Sequence, residues 1–208
     1  MLGRFLELGI VTPDTGAAWI ELQQLGFAGA TAGEIWPHAY GAVACEGLAI
    51  GLHEVGKEAR SLFFVQPDVD ALRRELLDRL LDIEVEQVGS DVFNEIGLRE
   101  PGGLLLRVIG ARTFSPPPEL PERTSLGRFR TISLPCADLG EAQVFWERLD
   151  MDVQLVSDPW EGIAVQGLPI AYHEVGIFKE VAVLFDGAGS TRELVRGPGK
   201  LAMISLPA

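Results

Sequence analysis

An internal repeat constrains the fold of this chain more than any other feature of its sequence. Residues 47–56 read GLAIGLHEVG and residues 167–176 read GLPIAYHEVG, so seven of the ten positions are identical. Further upstream, residues 14–27 (DTGAAWIELQQLGF) align without gaps to residues 138–151 (DLGEAQVFWERLDM). Both segments are varied in composition, so low complexity does not explain the match. We infer that the chain contains a duplicated structural unit.

Each copy of this unit has the same predicted order of elements. The segments that read as strands are rich in apolar residues: 4–12, 40–46 and 48–55 in the first copy, and 128–135, 162–166 and 168–175 in the second. Asp14 and Asp138 stand where a helix N-cap is expected, and apolar residues at helical spacing follow each of them. We therefore interpret each copy as a β-α-β-β-β module, in which the pattern locates three of the four strands.

Two further modules are visible at lower similarity. Residues 61–81 predict a strand, a turn at Asp68 and a helix, and strands are expected at 83–88, 95–100 and 104–110. A fourth copy is abbreviated, because only about ten residues separate its first strand (180–186) from its last (197–206). The predicted fold class is α+β, with paired β-α-β-β-β modules in two tandem domains, the second with a shortened last module.

The predicted domain bounds follow from these modules. The first domain spans residues 1–112 and holds two complete modules, and the abbreviated second domain spans residues 127–208. Residues 113–126 lie between them and are rich in proline, which is typical of a linker.

Composition narrows the range of partners and compartments. The net charge is −13, with 17 basic against 30 acidic residues, so we expect no nucleic acid and no anionic membrane as partner. No apolar run reaches the roughly 18 residues that span a bilayer. The N-terminal segment lacks the pattern of a signal peptide. Cys45 and Cys136 lie far apart, which is typical of reduced thiols. We expect a cytoplasmic protein with a small-molecule partner.

Three local features, in this order and spacing, resemble the vicinal oxygen chelate superfamily of glyoxalases, bleomycin resistance proteins and ring-cleaving dioxygenases. The first is a strand that ends in a turn with an aspartate before the helix, at Asp14 and Asp138. The second is the helix end at residues 25–27 (LGF). The third is the segment 100–106 (EPGGLLL), which is similar to the hairpin before the family's final strand. The resemblance implies that two modules pair to form a cup, which holds a divalent ion in metal-dependent members.

Carried over residue by residue, the resemblance places the four metal-ligand positions at Glu7, Gly51, Ser61 and Arg107. A divalent ion that chelates two substrate oxygens needs three or four nitrogen or oxygen donors from the protein. Only Glu7 is a good donor, and the charge of Arg107 would repel the ion. We therefore expect no metal and no other cofactor.

We predict instead that the cup of the first domain binds a small molecule. Its predicted lining consists of Glu7, His53, Ser61, Phe63 and Arg107. His53 is included because strand residues two apart share a face, so it lies beside Gly51. If Glu7 and Arg107 both face the cup, we expect them to form a carboxylate–guanidinium pair where the ion would stand.

The sequence leaves three functions open. The first is a metal-free ligand-binding protein, akin to the family's antibiotic-sequestering members. The second is a divergent enzyme, either a glyoxalase-like lyase or isomerase or a dioxygenase-like oxidoreductase, with a relocated metal at Glu7 and His53 or a metal-free acid–base pair. The third is a non-catalytic scaffold or regulatory protein, since half a cup in the second domain would not enclose a ligand.

The roles of the histidines also stay open at this point. His53 and His173 lie in identical HEVG segments, and each is either a functional group or a packed strand residue. His38 lies between Trp36 and Tyr40, which either rim a pocket or cover the core. The oligomeric state, a homodimer included, is left open as well.

Overall fold

The computed structural model describes residues 2–30, 36, 38–111 and 119–208. Residues 113–118, the first part of the predicted linker, lie outside the described residues. The domain bounds of 1–112 and 127–208 therefore stay predictions. In the part of the chain that is described, no helix is both long and apolar enough to cross a membrane.

The chain forms two mixed sheets. The first has the strands β1 (Arg4–Val11), β2 (Ala28–Ala30), β3 (Tyr40–Cys45), β4 (Leu48–His53), β5 (Arg60–Gln66), β6 (Val85–Gln87), β7 (Glu95–Arg99) and β8 (Leu105–Gly110). The second has the strands β9 (Arg128–Cys136), β10 (Val153–Val156), β11 (Gly162–Val165), β12 (Ile170–Glu174), β13 (Ala182–Asp186), β14 (Glu193–Arg196) and β15 (Ala202–Leu206). The helices are α1 (Thr15–Gln24), α2 (Val69–Asp78) and α3 (Leu139–Arg148), and a short 3-10 turn covers Pro198–Lys200.

The strand order confirms the paired modules. In the first sheet it is β2-β3-β4-β1-β5-β8-β7-β6, with β1 antiparallel to β5 at the centre. Within each module the first and last strands are parallel, as β1 is to β4 and β5 is to β8. The second sheet, β10-β11-β12-β9-β13-β15-β14, repeats this order but ends one strand earlier. The short edge strands β2 and β10 were not located from the sequence pattern.

The three helices begin where the sequence predicts. The aspartate before each helix is its N-cap and accepts a hydrogen bond from a backbone N–H in the first turn. The bonds run from the amides of Ala17, Ala71 and Gly140 to Asp14 (2.8 Å), Asp68 (2.9 Å) and Asp138 (2.8 Å). A side-chain acceptor at this position satisfies a donor that the helix itself leaves unpaired.

The fourth module has no helix between β13 and β14, a segment that is described throughout, and the first and second modules pack against it instead. The ring of Phe185 on β13 lies 6.2 Å from the ring of Phe27, edge to face. Arg60 Nη2 donates to the carbonyl oxygen of Gly199 at 2.9 Å. Phe27 and Phe185 both belong to one buried apolar cluster that continues through both sheets. The shortened module is thus covered by the other half of the chain.

A second contact between the two sheets involves the hairpin within residues 100–106, the segment that is similar to the family's hairpin before its final strand. The Glu100 carboxylate is buried and accepts from the backbone amides of Gly102 (2.7 Å) and Leu104 (2.6 Å). It also bonds the hydroxyl of Tyr172, which accepts from Trp146 Nε1 at 2.9 Å. Burial raises the pKa of Glu100 above its usual value. The hairpin therefore fixes the first sheet against β12 of the second through buried hydrogen bonds.

Candidate functional site

Each sheet packs its helices on one face, and we call the opposite faces cup one and cup two. Alternation along β5 shows the division in the first sheet. Leu62 and Phe64 pack in the main core with the helices, whereas Phe63 and Val65 belong to a separate cluster on the other face. Phe63 thus marks cup one.

The strand register brings the predicted site positions together on cup one. Glu7 lies opposite Phe63 across the β1–β5 pair, and Arg107 pairs with the same phenylalanine from β8. Gly51 on β4 is beside β1, opposite Gly9. Ser61, opposite Gly9 on β5, is also buried on this face.

The carboxylate of Glu7 is the centre of a buried hydrogen-bond network. Tyr40 donates its hydroxyl to Oε2 at 2.5 Å, and Nε2 of His53 lies 3.0 Å from Oε1. Glu7 is 1% exposed and His53 is 3% exposed, so both groups depend on these partners. Burial, together with the nearby carboxylate, raises the pKa of the Tyr40 hydroxyl, which therefore stays protonated and donates.

The position of the Glu7 carboxylate depends on the absence of a side chain at Gly51. A Cβ atom at position 51 would lie 2.1 Å from Oε1 of Glu7, so the carboxylate occupies the space directly over the glycine. A side chain on β4 and the carboxylate from β1 exclude each other at this point. The family's ligand position on β4 is therefore filled by a side chain that reaches over from β1.

His38 extends the network towards solvent. Its Nε2 lies 3.0 Å from Nδ1 of His53, and its side chain is only partly buried. A carboxylate accepts and does not donate, so with Glu7 ionised the proton of neutral His53 is on Nε2 and its Nδ1 accepts from His38. Burial lowers the pKa of His38, and the neighbouring His53 and Arg107 lower it further. The lowered pKa favours the neutral form of His38.

Aromatic rings surround these polar groups. The ring of Phe63 stacks on that of His53 with centroids 5.2 Å apart and planes 22° apart. Trp36 lies edge-on to His53 at 4.7 Å and to Phe63 at 5.2 Å, and its centroid is 5.4 Å from that of Phe93. The described part of cup one is therefore an aromatic surface with a few polar groups set into it.

The predicted pair between Glu7 and Arg107 is wrong. Arg107 donates from Nε and Nη2 to the two oxygens of Glu95, at 2.6 and 2.8 Å, and its guanidinium lies 4.6 Å from the ring centroid of Phe63. Glu95 is on the adjacent strand β7, where Gly97 is the register partner of Arg107. A diagonal neighbour on the next strand is within reach of a long side chain, whereas Glu7 is two strands away.

The metal that the fold family implies does not fit these residues. Both oxygens of Glu7 are engaged by Tyr40 and His53, Gly51 offers no side-chain donor, and the cation of Arg107 is paired with Glu95. No group of three or more histidine, cysteine, aspartate or glutamate side chains in the described part of the chain is arranged to hold an ion. A divalent ion in cup one would have to break this network.

Cup two uses the equivalent positions differently. Ser133 and Ala171 pair across β9 and β12, where Gly9 and Gly51 pair in the first sheet. Nδ1 of His173 lies 2.6 Å from the hydroxyl oxygen of Ser133, and its Nε2 is 2.7 Å from the carbonyl oxygen of Phe178. Because a carbonyl only accepts, Nε2 carries the proton and the serine donates to Nδ1. Burial lowers the pKa of His173.

Cup two also contains a cavity of about 310 Å³. Its lining includes Thr131, Gln154, Trp160 and His173 from the third module and Leu184 from the fourth. The third module supplies most of the walls of this cavity.

Comparison with known proteins finds likeness in structure alone. No protein-family model matches the sequence, and no curated protein matches it at a significant level. A catechol 2,3-dioxygenase superposes with a TM-score of 0.60 at 16% identity, over 99% of this chain and 89% of the other. An extradiol ring-cleaving dioxygenase from B. fuscum gives 0.61 at 12% identity, over 97% and 70%. The Mn(II)-bound glyoxalase from Novosphingobium aromaticivorans gives 0.57 at 13%, over 97% and 80%.

The chain therefore has the fold of the vicinal oxygen chelate superfamily, with paired modules repeated in tandem, as the sequence predicts. At these levels of identity the likeness extends to the fold and not to the chemistry. The chemistry has to be argued from the residues of the two cups.

Proposed function

We propose that the protein binds a small organic molecule in cup one without a metal ion. The observation that carries this proposal is that both oxygens of Glu7 already have hydrogen-bond partners, although Glu7 is the one strong metal donor at the positions that the resemblance assigns to metal ligands. Its oxygens bond to Tyr40 and His53, which lie 2.5 and 3.0 Å away. The hydrogen bonds hold these side chains in place before a ligand arrives, which supports a preformed binding surface rather than an open coordination site.

The residues around this network indicate the chemistry of the ligand. Trp36 and Phe93 are only partly buried and offer ring surface, which favours a planar aromatic molecule. Arg107 is already neutralised by Glu95, and its side chain remains 14% exposed. It can therefore hold a polar atom of the ligand without requiring a full negative charge. We expect a neutral or weakly anionic planar ligand.

A binding screen with two matched tryptophan variants tests the proposal. Small planar aromatic compounds, with and without a carboxylate, are added to metal-free protein and followed by ligand-observed NMR. We expect binding to the wild type that weakens about 10-fold or more in Trp36→Ala, because ring contacts are lost. Trp160→Ala, which changes the cavity of cup two, should bind as the wild type does.

Two outcomes would contradict the proposal. One is the absence of binding in metal-free protein with recovery when a divalent metal is added. The other is binding that Trp160→Ala abolishes and Trp36→Ala leaves intact, which would assign the ligand to cup two.

A further inference from the structure

Three side chains of cup one form a continuous line of hydrogen bonds from the buried interior to the partly exposed rim. Glu7 lies at the buried end, His53 in the middle and His38 at the outer end, and each contact is 3.0 Å. Phe63 stacks on the middle imidazole and fixes its plane. The third histidine of the chain, His173, is in cup two, and its hydrogen-bond partners among the described residues are the Ser133 hydroxyl and the Phe178 carbonyl.

The Glu7 carboxylate accepts hydrogen bonds and does not donate them, so it determines which nitrogen of each histidine carries the proton. Nε2 of His53 points its proton at Glu7, so Nδ1 of His53 accepts from Nε2 of His38. Nδ1 of His38 is then the unprotonated nitrogen at the outer end. If it takes up a proton, the Nε2 proton of His38 can pass to His53, and the resulting imidazolium lies against the Glu7 carboxylate.

We infer that cup one carries a proton-transfer site in which His38 is the general base and His53 and Glu7 are positioning residues. This inference rests on the proposed ligand site. The substrate class is a planar organic molecule with a weakly acidic proton and an oxygen that gains negative charge when the proton leaves. Trp36 and Phe93 offer surface for the ring, and Arg107, the register partner of Phe63, provides a cation on the same face.

The proposed step balances without a metal or a redox partner. His38 Nδ1 accepts the proton, and the electron pair of the broken bond stays on the substrate and ends on its oxygen. The positive charge taken up moves through His38 to His53, where the ionised Glu7 offsets it. Among the described residues, the charge of Arg107 opposes protonation of His38 and that of Glu54 favours it. Protonated Tyr40 holds the second oxygen of Glu7 and stays neutral.

Ring opening of 5-nitrobenzisoxazole provides a probe for such a base. The base removes the proton on carbon 3, the C–H electrons form a nitrile, the N–O bond breaks, and the oxygen leaves as a coloured phenolate. We expect wild-type protein to accelerate this reaction above buffer at about pH 7.5. His38→Ala should lower kcat/KM by about 100-fold or more, the usual range for loss of a general base.

The positioning residues have a different expected signature. His53→Gln and Glu7→Gln should lower kcat at least about 10-fold with little change in KM, since the base stays but loses its relay. The midpoint of the rise of kcat/KM with pH should move to lower pH in Glu7→Gln, because the imidazolium loses its counter-charge. His173→Gln is the matched control, from the same HEVG sequence, and should equal the wild type.

The outcomes separate this inference from the proposed function. Binding of the probe without acceleration, or acceleration that His38→Ala retains, would overturn the relay and leave the ligand site standing. Failure of the probe and of all planar compounds to bind would overturn both. A second measurement does not depend on the probe, because nitrogen-15 NMR reports the tautomers directly. We expect His53 to be protonated at Nε2, and protonation at Nδ1 alone would contradict the inference.

Discussion

Cup one and cup two present the same histidine in two different settings. His53 and His173 both occur in an HEVG segment at the end of the last strand of a module, and both are buried. His53 bonds a carboxylate on one side and a second histidine on the other. His173 bonds a serine hydroxyl and a backbone carbonyl. His53 therefore lies between a carboxylate and a second imidazole, whereas His173 lies between a hydroxyl group and a carbonyl oxygen.

The difference arises on the neighbouring strands and not in the repeated segment. Glu7 and Thr131 occupy corresponding positions on β1 and β9, and Gly51 and Ala171 correspond on β4 and β12. The glycine makes room for the glutamate carboxylate, while the alanine accompanies a short threonine side chain. Near-identity of one strand therefore does not give two cups the same chemistry. The residue opposite that strand decides what the histidine does.

The largest expected effect comes from removing the carboxylate of cup one. Glu7→Ala leaves the buried donors of Tyr40 and His53 without an acceptor, and each loss costs about 1–3 kcal/mol. We expect the free energy of unfolding in urea to fall by about 3 kcal/mol. The matched variant in cup two, Thr131→Ala, should cost less than about 1 kcal/mol. Equal losses in both variants would mean that the two cups do not differ as described.

A double-mutant cycle tests the link between Glu7 and Gly51 and should show a smaller effect. Gly51→Ala alone places a methyl group against the carboxylate and should cost about 1–3 kcal/mol, the range for overpacking. In a Glu7→Thr background, which mimics cup two, the same change should cost at least about 1 kcal/mol less. Additive losses, measured by urea unfolding, would show that the requirement for glycine at position 51 does not depend on Glu7.

The smallest expected effect is a pH dependence assigned to cup two. Burial lowers the pKa of His173, so the folded protein takes up a proton there less readily than the unfolded chain does. The stability that this group contributes is full above about pH 6.5, the ordinary histidine value, and is lost as the pH falls below it. Melting temperatures at about pH 7.5 and pH 5.5 should differ less in His173→Gln than in the wild type. A larger difference in the variant would contradict the assignment.

The sequence predicts the fold well because the fold is periodic and repeated. The three N-cap aspartates, the order of the modules and the shortening of the fourth module follow from spacing alone. The short edge strands β2 and β10 are not predictable in this way, because three or four residues at the edge of a sheet are too few to show a clear periodicity. The packing of Phe27 from the first module against the fourth module is also not predictable from the sequence pattern, because that contact joins distant segments.

The site is predicted only in part, and the reason is the reach of side chains between strands. Placing Glu7 and His53 on one face requires only strand alternation and the family's spacing. The partners Tyr40, His38 and Glu95 depend on strand register. Glu95 had a usable signal, because the hairpin around residues 100–104 places it diagonally from Arg107. For His38, between Trp36 and Tyr40, the sequence leaves two alternatives, because this residue lies on a loop whose course the sequence does not fix.

The central claim is that cup one holds a hydrogen-bond network on Glu7 where metal-dependent members of the family hold an ion. The most direct test is the metal content of protein purified without an affinity tag, by mass spectrometry, with calorimetric titration of manganese, iron, nickel and zinc. The account predicts far less than one equivalent of any metal, and no titratable site that depends on Glu7. One equivalent of a divalent metal in the wild type, absent from Glu7→Gln, would contradict it.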